Sequence, residues 1–438
     1  MKYCLTLLLV CFMWHANATI PEVKFSLYKH ESQKDGPTIL VIGGIQGDEP
    51  GGFNAASLLV TDYTINKGNL WVVPNLNFIS IIRRSRGIHG DMNRKFAKIK
   101  RSDPEYEAVE KIKSIILEQQ VDIVLNLHDG SGFYRKKYID KLHNPHRWGQ
   151  SIIIDQSRLN NSQYGELESM ASSVIARVNS QLTSNEDYLE MKNTRTSSGD
   201  EEMEKSLTYF AVKNNRPAFG IEASKSYPTH KRTLVHLTVV ESFMHEMGIE
   251  FNRGFTLSNK AVKDRIDNNV RLTLYDERIY FDMSRARSRL GFVPMQKDVP
   301  LEYSASNPLV AVINRKGYYH VRYGNRKITR LQPEYFDFDD SLDHVSVDID
   351  GKENKYKLGT IIKVNNSFLV KPMDGYRINI IGFKQKGITN ESGIRVKKSQ
   401  IANRFSIDKK AQIYRVEVYH KDRFCGMLLV DFSGNASA

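Results

Sequence analysis

Short apolar runs alternate with amphipathic helical patterns through about the first 250 residues, and this alternation constrains the fold more than any other feature. The runs that predict buried strands are Pro37–Gly44, Asn69–Asn77, Val121–Leu127, Ser151–Ile154 and Pro217–Ala223. Helical patterns lie between and after them, at Phe53–Val60, from Pro104 onward, and at Tyr164–Val178, Glu204–Asn214 and Leu234–Met247. Strands that alternate with helices form a mostly parallel sheet covered on both faces. We therefore expect an α/β fold, with a mixed, mostly parallel sheet flanked by helices.

The pattern changes after about residue 250, where short strand-like segments come in pairs separated by turn residues. The predicted hairpins are Pro308–Ile313 with Tyr318–Tyr323, Thr360–Val364 with Ser367–Val370, and Ile413–Tyr419 with Gly426–Phe432. A polar break, Asp339–His344, separates the first pair from the other two. We therefore predict an α/β domain at residues 19–250, followed by two β-rich domains at 251–342 and 343–438.

The N-terminus has the three parts of a cleavable secretion signal, within residues 1–18. Lys2 precedes an apolar stretch, Cys4–Trp14, and Ala16-Asn17-Ala18 has the small residues of a cleavage site. A buried N-terminal helix is the alternative interpretation. No later run approaches the roughly 20 apolar residues of a membrane span. We therefore expect an exported, periplasmic protein without a transmembrane segment once the signal is removed.

Cysteine and charge content limit how such a protein is stabilised and what it contacts. Of the three cysteines, Cys4 and Cys11 lie in the signal, and Cys425 alone cannot close an internal disulfide. The net charge is +13, and it is +12 once Lys2 is removed with the signal. This charge favours an anionic partner, such as wall peptides, glycan polymers or a membrane surface, and export argues against nucleic acid. A merely soluble basic surface is the alternative.

Two loops that follow buried strands carry residue types that bind metals. Gln46 and Glu49 stand three residues apart in the glycine-rich loop Gly43–Gly52, where they offer an amide oxygen and a carboxylate. His128 lies at the end of another apolar run, and imidazole is a common zinc ligand. Because the carboxyl ends of parallel strands meet at one edge of a sheet, the two loops should converge. The alternatives are a simple tight turn and a structural histidine.

Arginine-rich loops and one strand-borne glutamate complete the set of candidate residues. Arg86 lies in Arg83–Gly87, and Asn93 and Arg94 end the segment Asp91–Arg94. Arginine binds carboxylates through two parallel hydrogen bonds, although a solvated basic loop is the commoner role. Glu222 lies near the end of an apolar strand, where burial is costly for a carboxylate without a partner or a role. A raised pKa would let Glu222 act as a general base.

The order of these residues resembles the M14 metallocarboxypeptidase family, whose first motif is His-x-x-Glu. Gln46-Gly47-Asp48-Glu49 matches this motif except at its first position, and the resemblance covers roughly residues 20–250. It implies a zinc carboxypeptidase-like fold, with one zinc ion held by Gln46, Glu49 and His128. It also implies that Glu222 is the catalytic base and that Arg86 polarises the scissile carbonyl. Asn93 and Arg94 would hold the substrate carboxylate, and Thr208 or Tyr209 lies near the family's substrate-contacting tyrosine.

Within the family, the glutamine, the signal and the β-rich tail are similar to the periplasmic DL-carboxypeptidases that set the shape of helical bacteria. The resemblance therefore implies that the substrate is the peptidoglycan tripeptide L-Ala-γ-D-Glu-meso-diaminopimelate, trimmed to the dipeptide. Gln46 predicts weaker zinc binding, because a neutral amide oxygen is a weaker zinc ligand than imidazole.

Two other functions fit parts of the pattern. The glycine-rich loop also resembles that of zinc amidohydrolases that deacylate N-acyl amino acids, and a wall-peptide binding protein with weak catalysis is the second alternative. The basic loops favour the carboxypeptidase over the deacylase, and Glu222 favours catalysis over binding alone. The β-rich part could cover the cleft, bind wall polymer, or recruit other cell-wall or cell-shape proteins.

Overall fold

A computed structural model of the chain describes residues 24–160, 162–268 and 270–435. The predicted secretion signal, residues 1–18, lies outside the described residues. Within the described ranges, no helix is both long and apolar enough to cross a membrane.

The first part of the chain alternates strands and helices, as the sequence predicts. Its strands are β1 Tyr28–Glu31, β2 Thr38–Gly43, β3 Tyr63–Lys67, β4 Asn69–Val73, β5 Ile123–Gly130, β6 Phe133–Tyr134, β7 His143–Asn144, β8 Ser151–Ile154, β9 Glu190–Asn193, β10 Ala218–Ser224 and β11 Glu250–Arg253. Its helices are α1 Pro50–Asp62, α2 Phe78–Arg83, α3 Tyr106–Ile116, α4 Leu167–Asn179, α5 Leu207–Lys213, α6 Thr229–Glu246 and α7 Asn259–Asn268. The helix predicted from Leu234 begins five residues earlier, at Thr229, and α7 lies where the sequence predicts only strands.

A seven-stranded mixed sheet forms the core of this part, in the order β1-β4-β2-β5-β10-β8-β9. The central strands β4, β2, β5 and β10 are mutually parallel, whereas β1 pairs antiparallel with β4, and β8 pairs antiparallel with β10 but parallel with β9. Every residue of β2 and of β5 is buried, which explains why both are nearly continuous apolar runs rather than alternating ones. The predicted fold class is confirmed.

The parallel strands bring three chain segments to one edge of the sheet. β2, β5 and β10 end there at Gly43, Gly130 and Ser224. The strand register places Gly43 beside Leu127, and His128 directly beside Glu222. The loops that follow these strands therefore meet, as expected for the carboxyl edge of a parallel sheet.

The second part is rich in strands. They are β12 Arg271–Leu274, β13 Ile279–Asp282, β14 Arg289–Gln296, β15 Tyr303–Ala305, β16 Val310–Arg315, β17 Tyr318–Tyr323, β18 Arg326–Phe336, β19 His344–Ile349, β20 Lys352–Lys357, β21 Ile361–Lys363, β22 Ser367–Val370, β23 Tyr376–Ile380, β24 Val396–Lys397, β25 Ile413–His420 and β26 Arg423–Asp431. The sheet orders are β13-β12-β15, β14-β18-β17-β16, β20-β19-β22-β24 and β21-β26-β25-β23.

Two of the three predicted hairpins are confirmed and one is wrong. β16 pairs with β17, and β25 pairs with β26. The strands around Asn365-Asn366 do not pair with each other, because β21 pairs with β26 and β22 pairs with β19. Asp350 explains the difference, since its carboxylate accepts backbone hydrogen bonds from Asn365, Asn366 and Ser367. These bonds fix the segment as a crossing between two sheets.

The buried apolar side chains form two clusters. The larger one runs from the seven-stranded sheet into β12–β18, and the smaller one lies within residues 345–432. β11, which begins at Glu250, pairs with β3 of the first part. The domain boundaries at residues 250 and 342 stay predictions.

Candidate active site

The loop between β2 and α1 is held close to the chain around Ser80 and Ser85. The Gly47 backbone N–H donates to the Ser85 carbonyl at 2.9 Å. A Cβ atom at Gly47 would lie 2.0 Å from the Ser80 carbonyl carbon, so no larger residue fits without a shift of the backbone. The glycine therefore sets the path of the loop that presents Gln46 and Glu49.

The side chain of Gln46 is buried and held in one orientation. Its Nε2 donates to both carboxylate oxygens of Asp91, at 2.8 and 3.0 Å. Its Oε1 consequently faces the other way and lies 3.3 Å from His128 Nδ1. The amide oxygen is thus the atom that Gln46 presents to the centre of the site.

Glu49 and His128 meet at the same point. Glu49 Oε2 lies 3.0 Å from His128 Nδ1 and accepts the Asp129 backbone N–H at 3.2 Å. Its Oε1 faces two cations, Lys225 Nζ at 3.2 Å and the Arg86 guanidinium at 3.6 Å. Burial alone would lower the pKa of His128, but the hydrogen bond and charge of Glu49 outweigh it and raise that pKa.

The donor set fits a divalent metal of the zinc type. Two donors bound at zinc–ligand distances in a tetrahedral site lie about 3.3 Å apart. Gln46 Oε1 and Glu49 Oε2 lie 3.3 and 3.0 Å from His128 Nδ1, which is close to that spacing. Three protein ligands would leave a position for water, as catalytic zinc sites do. The described residues contain no cluster of three or more His, Cys, Asp or Glu side chains of metal-binding geometry, so such a centre needs the glutamine.

Glu222 lies beside this centre on the neighbouring strand, paired in register with His128. Its environment raises the pKa of the carboxyl to about 8. Burial is the main cause, and the negative charges of Glu49 and Asp129 add to it, while His128 and Lys225 oppose it. A carboxylate whose pKa is raised in this way takes up a proton readily, as a general base must.

These residues line a cavity of about 320 Å³. Eight of the nine residues predicted from the sequence border it: Gln46, Glu49, Arg86, Asn93, Arg94, His128, Thr208 and Glu222. The ninth, Tyr209, follows Thr208 in α5 but does not line the cavity. Among the two residues predicted as alternatives, the structure therefore places Thr208 at the site.

The basic residues at the rim are only partly neutralised. The Arg86 guanidinium pairs with Asp91 at 2.9 Å, yet 49% of its side chain remains exposed. Arg94 forms a longer contact, 3.4 Å, with the exposed Glu202 and also lines the cavity. Asn93 is buried, and its side-chain oxygen accepts the Leu207 N–H at 3.0 Å, which ties this loop to α5. The rim therefore offers positive charge to a ligand that carries carboxylates.

Several residues of the site were not assigned a role from the sequence. Asp91 and Asp129 stand next to assigned residues in the chain, but only the fold shows what they contact. Asp129 is buried and accepts hydrogen bonds from Gly51 N at 2.8 Å, Arg232 at 2.7 Å and His236 at 3.1 Å. Lys225 follows β10, and its position at a strand end three residues after Glu222 is the signal that could have found it.

Comparison with known families gives two matches. Residues 1–267 match the family described as "carboxypeptidase controlling helical cell shape, catalytic". Residues 338–433 match the family described as "C-terminal domain of metallo-carboxypeptidase". No curated protein sequence matches the chain.

Solved structures that resemble the chain include the cell shape determinant protein Csd4 from Helicobacter pylori. The apo crystal structure shares 37% sequence identity and a TM-score of 0.85, over 93% of this chain and 100% of that chain. Its tripeptide-bound crystal structure matches with the same identity, coverage and TM-score. The mDAP-bound form of Csd4, which is described as a D,L-carboxypeptidase, matches at 37% identity and a TM-score of 0.85, over 92% of this chain and 99% of that chain.

Proposed function

The chain belongs to the family of carboxypeptidases that control helical cell shape, and on this premise we propose that it is a zinc-dependent D,L-carboxypeptidase of peptidoglycan peptides. Its substrate would be the tripeptide L-Ala-γ-D-Glu-meso-diaminopimelate, and its products the dipeptide and free diaminopimelate. The observation that carries the proposal is the meeting of Gln46, Glu49 and His128 beside Glu222 in a cavity rimmed with arginine.

The centre would hold zinc through Gln46 Oε1, Glu49 Oε2 and His128 Nδ1. When bound, the metal lowers the pKa of a water molecule and polarises the scissile carbonyl. Glu222 accepts the proton of the attacking water and then returns it to the leaving amine. Its place on the strand next to His128 keeps the carboxylate at the centre throughout.

The cationic rim orients the substrate. Arg86 points to the centre and would stabilise the oxyanion that forms at the D-Glu carbonyl. Asn93 and Arg94 would bind a carboxylate of diaminopimelate, since a guanidinium matches the two oxygens of a carboxylate. Lys225, which contacts the same Glu49 oxygen as Arg86, adds further positive charge at the centre. A substrate with several carboxylates suits such a cavity.

A location outside the cytoplasm follows from this substrate. We propose that residues 1–18 direct export and that the mature enzyme works in the periplasm, where the wall peptides are. The net charge of +12 that remains once Lys2 is removed with the signal favours association with an anionic wall.

The proposal is tested by incubating purified enzyme with the synthetic tripeptide and reading the products by mass. We expect dipeptide and diaminopimelate, loss of activity with a chelator, and recovery on adding zinc. Glu222→Gln should lower kcat by about 10²–10⁴-fold, because the general base is lost. Its bound zinc should be retained, because Glu222 is not one of the three ligands.

A matched control and a rival substrate sharpen this test. Glu250→Gln alters an exposed glutamate on β11 and should leave kcat unchanged. Hydrolysis that persists in chelator, or release of acetate from an N-acetyl amino acid in place of tripeptide cleavage, would refute the proposal. The second result would favour the N-acyl amino acid deacylase.

A further inference from the structure

Two arginines lie opposite each other on the sheet formed by β14, β18, β17 and β16. Arg289 on β14 and Arg330 on β18 are register partners, and both are exposed. Their guanidinium carbons lie 5.7 and 5.1 Å from the ring centre of Tyr318 on β17. Within the described part of the chain, neither forms an ion pair with a carboxylate. The two positive charges thus share one aromatic surface and face solvent.

The two like charges repel each other, although Arg289 also donates a hydrogen bond to Gln332. Like charges directly opposite on neighbouring strands destabilise a sheet. His320 on β17 continues the row as the register partner of Arg330. Burial lowers the pKa of His320, and nearby positive charges lower it further: Arg315, Arg330, Lys327 and Arg322. The imidazole therefore lies in a positive field that the surrounding protein does not cancel.

A cleft of about 340 Å³ opens beside this row. Residues that line it include Arg289, Phe292, Gln332, Arg404 and Phe405. The Arg404 guanidinium lies 4.9 Å from the ring centre of Phe405. Both the β14–β18 sheet and the segment before β25 contribute to the cleft, so its walls combine guanidinium groups with aromatic rings.

Phe292, in the wall of this cleft, has a backbone conformation that its residue type disfavours. Its φ is 55°, in the left-handed region, and the residue is 52% exposed. It lies in a bulge, where the pairing of β14 with β18 shifts between Leu290 and Val293. The buried guanidinium of Arg415 holds the bulge by donating to the carbonyls of Gly291 and Phe292, at 2.8 and 2.9 Å.

Arg415 explains why the bulge forms, but the bulge does not bury the Phe292 ring. Arg415 also pairs with the buried Glu417 at 3.3 Å, so the residue that holds the bulge belongs to the protein interior. The bulge exposes the apolar ring of Phe292 to water, and it holds the Phe292 backbone in a strained conformation. Strain of this kind accompanies functional sites, and aromatic rings at such positions offer a flat apolar face.

We propose that this cleft, together with Arg330 in the row beside it, is a non-catalytic site for the carboxylate-bearing stem peptides of the wall polymer. Arg289, Arg330 and Arg404 would bind peptide carboxylates, while the ring of Phe292 packs against the adjoining sugar. The inference rests on the proposed function, because it takes the same polymer as ligand. A second contact of this kind would keep the enzyme on an insoluble substrate without taking part in the reaction.

The test measures sedimentation of the full-length protein with purified, insoluble wall sacculi. Arg289→Gln combined with Arg330→Gln should weaken binding by about tenfold, because two charge-assisted contacts are lost. Lys352→Gln combined with Lys355→Gln removes the same charge from the exposed strand β20 and should change binding less than twofold in this assay. Wild-type protein should lose binding to sacculi whose carboxylates have been amidated.

Separate control measurements test whether the variants fold and whether they remain active. The Arg289 and Arg330 substitutions relieve repulsion but also remove two contacts with the Tyr318 ring, so the thermal midpoint should change little. The kcat/KM on the soluble tripeptide should not change. Phe292→Gly removes the ring and also the backbone strain. The variant should therefore fold normally but bind sacculi more weakly than wild-type protein.

Two outcomes would overturn the proposal that this cleft binds the wall polymer. Equal losses in the arginine and lysine double variants would show that net charge alone retains the protein. Unchanged binding in the arginine double variant would show that the cleft does not bind the polymer. If wild-type protein binds sacculi through these residues but does not cleave tripeptide, the site stands and the proposed function fails.

Discussion

Asp91 holds the side-chain amide of Gln46 with both of its carboxylate oxygens, at 2.8 and 3.0 Å from Nε2. The contact decides which atom Gln46 presents to His128, because an amide that donates on one side must offer its oxygen on the other. The same carboxylate pairs with Arg86 and accepts the Asn93 backbone N–H. One acidic residue thus orients the proposed metal ligand, the proposed oxyanion contact and the start of the carboxylate-binding segment.

Replacing Asp91 by asparagine should weaken metal binding. The amide of asparagine offers one acceptor oxygen instead of two and carries no charge, so Gln46 can rotate and Arg86 loses its partner. Loss of such an outer contact typically lowers metal affinity by about 10–100-fold. Competition with a chromophoric chelator measures the zinc dissociation constant directly, without activity. Glu250→Gln on β11 is the control, and unchanged affinity in Asp91→Asn would contradict the orienting role.

Gln46→His should strengthen zinc binding. Imidazole is a better zinc ligand than an amide oxygen, and Asp91 is placed to accept the second ring N–H, as carboxylates beside zinc-bound histidines do. We expect a dissociation constant at least about tenfold lower and a kcat that is retained or raised. If metal content and turnover both fall in this variant, Gln46 is not a ligand.

Three of the residues that the sequence predicts at this site share one property. Gln46, His128 and Glu222 all lie at or just after the ends of buried apolar runs, where pattern and chain order identify them. Asp91 lies on another loop, and its contacts depend on how that loop folds back over the sheet edge. Lys225 directly follows β10, and only its contact with Glu49 depends on the fold. The sequence wrongly predicts a hairpin at Asn365-Asn366 for a related reason, since local turn chemistry does not show that Asp350 binds the segment.

Asp155 predicts a pH dependence of stability. It is buried after β8, and burial raises the pKa of its carboxyl, although hydrogen bonds from threonines such as Thr196, at 2.5 Å, oppose the change. Among the described residues, its Oδ2 has no hydrogen-bond partner. A folded-state pKa above the unfolded value of about 3.9 means that ionisation costs stability as pH rises above that value.

Asp155→Asn removes this cost and should therefore stabilise the protein more at pH 8 than at pH 4. Thermal midpoints of wild type and variant across this range measure the difference. Ser198→Ala, an exposed substitution that changes no titratable group, should give the same shift at every pH. A gain for Asp155→Asn that does not grow with pH would show that the carboxyl is not held at a raised pKa.

Gly47→Ala tests how closely the position of the metal-ligand loop governs catalysis. The new Cβ would lie 2.0–2.2 Å from backbone atoms of Ser80 and Ile81, so one of the two segments must move by about 1 Å or more. A misplacement of that size can lower kcat/KM by about 10²-fold even when the reacting groups are unchanged. We expect this loss on the tripeptide, together with weaker zinc binding in the chelator competition.

Gly254→Ala places its Cβ 3.5 Å from the nearest backbone atom and should leave both quantities unchanged. Wild-type kinetics in a folded Gly47→Ala protein would show that the loop tolerates displacement and that the ligands are positioned by other contacts.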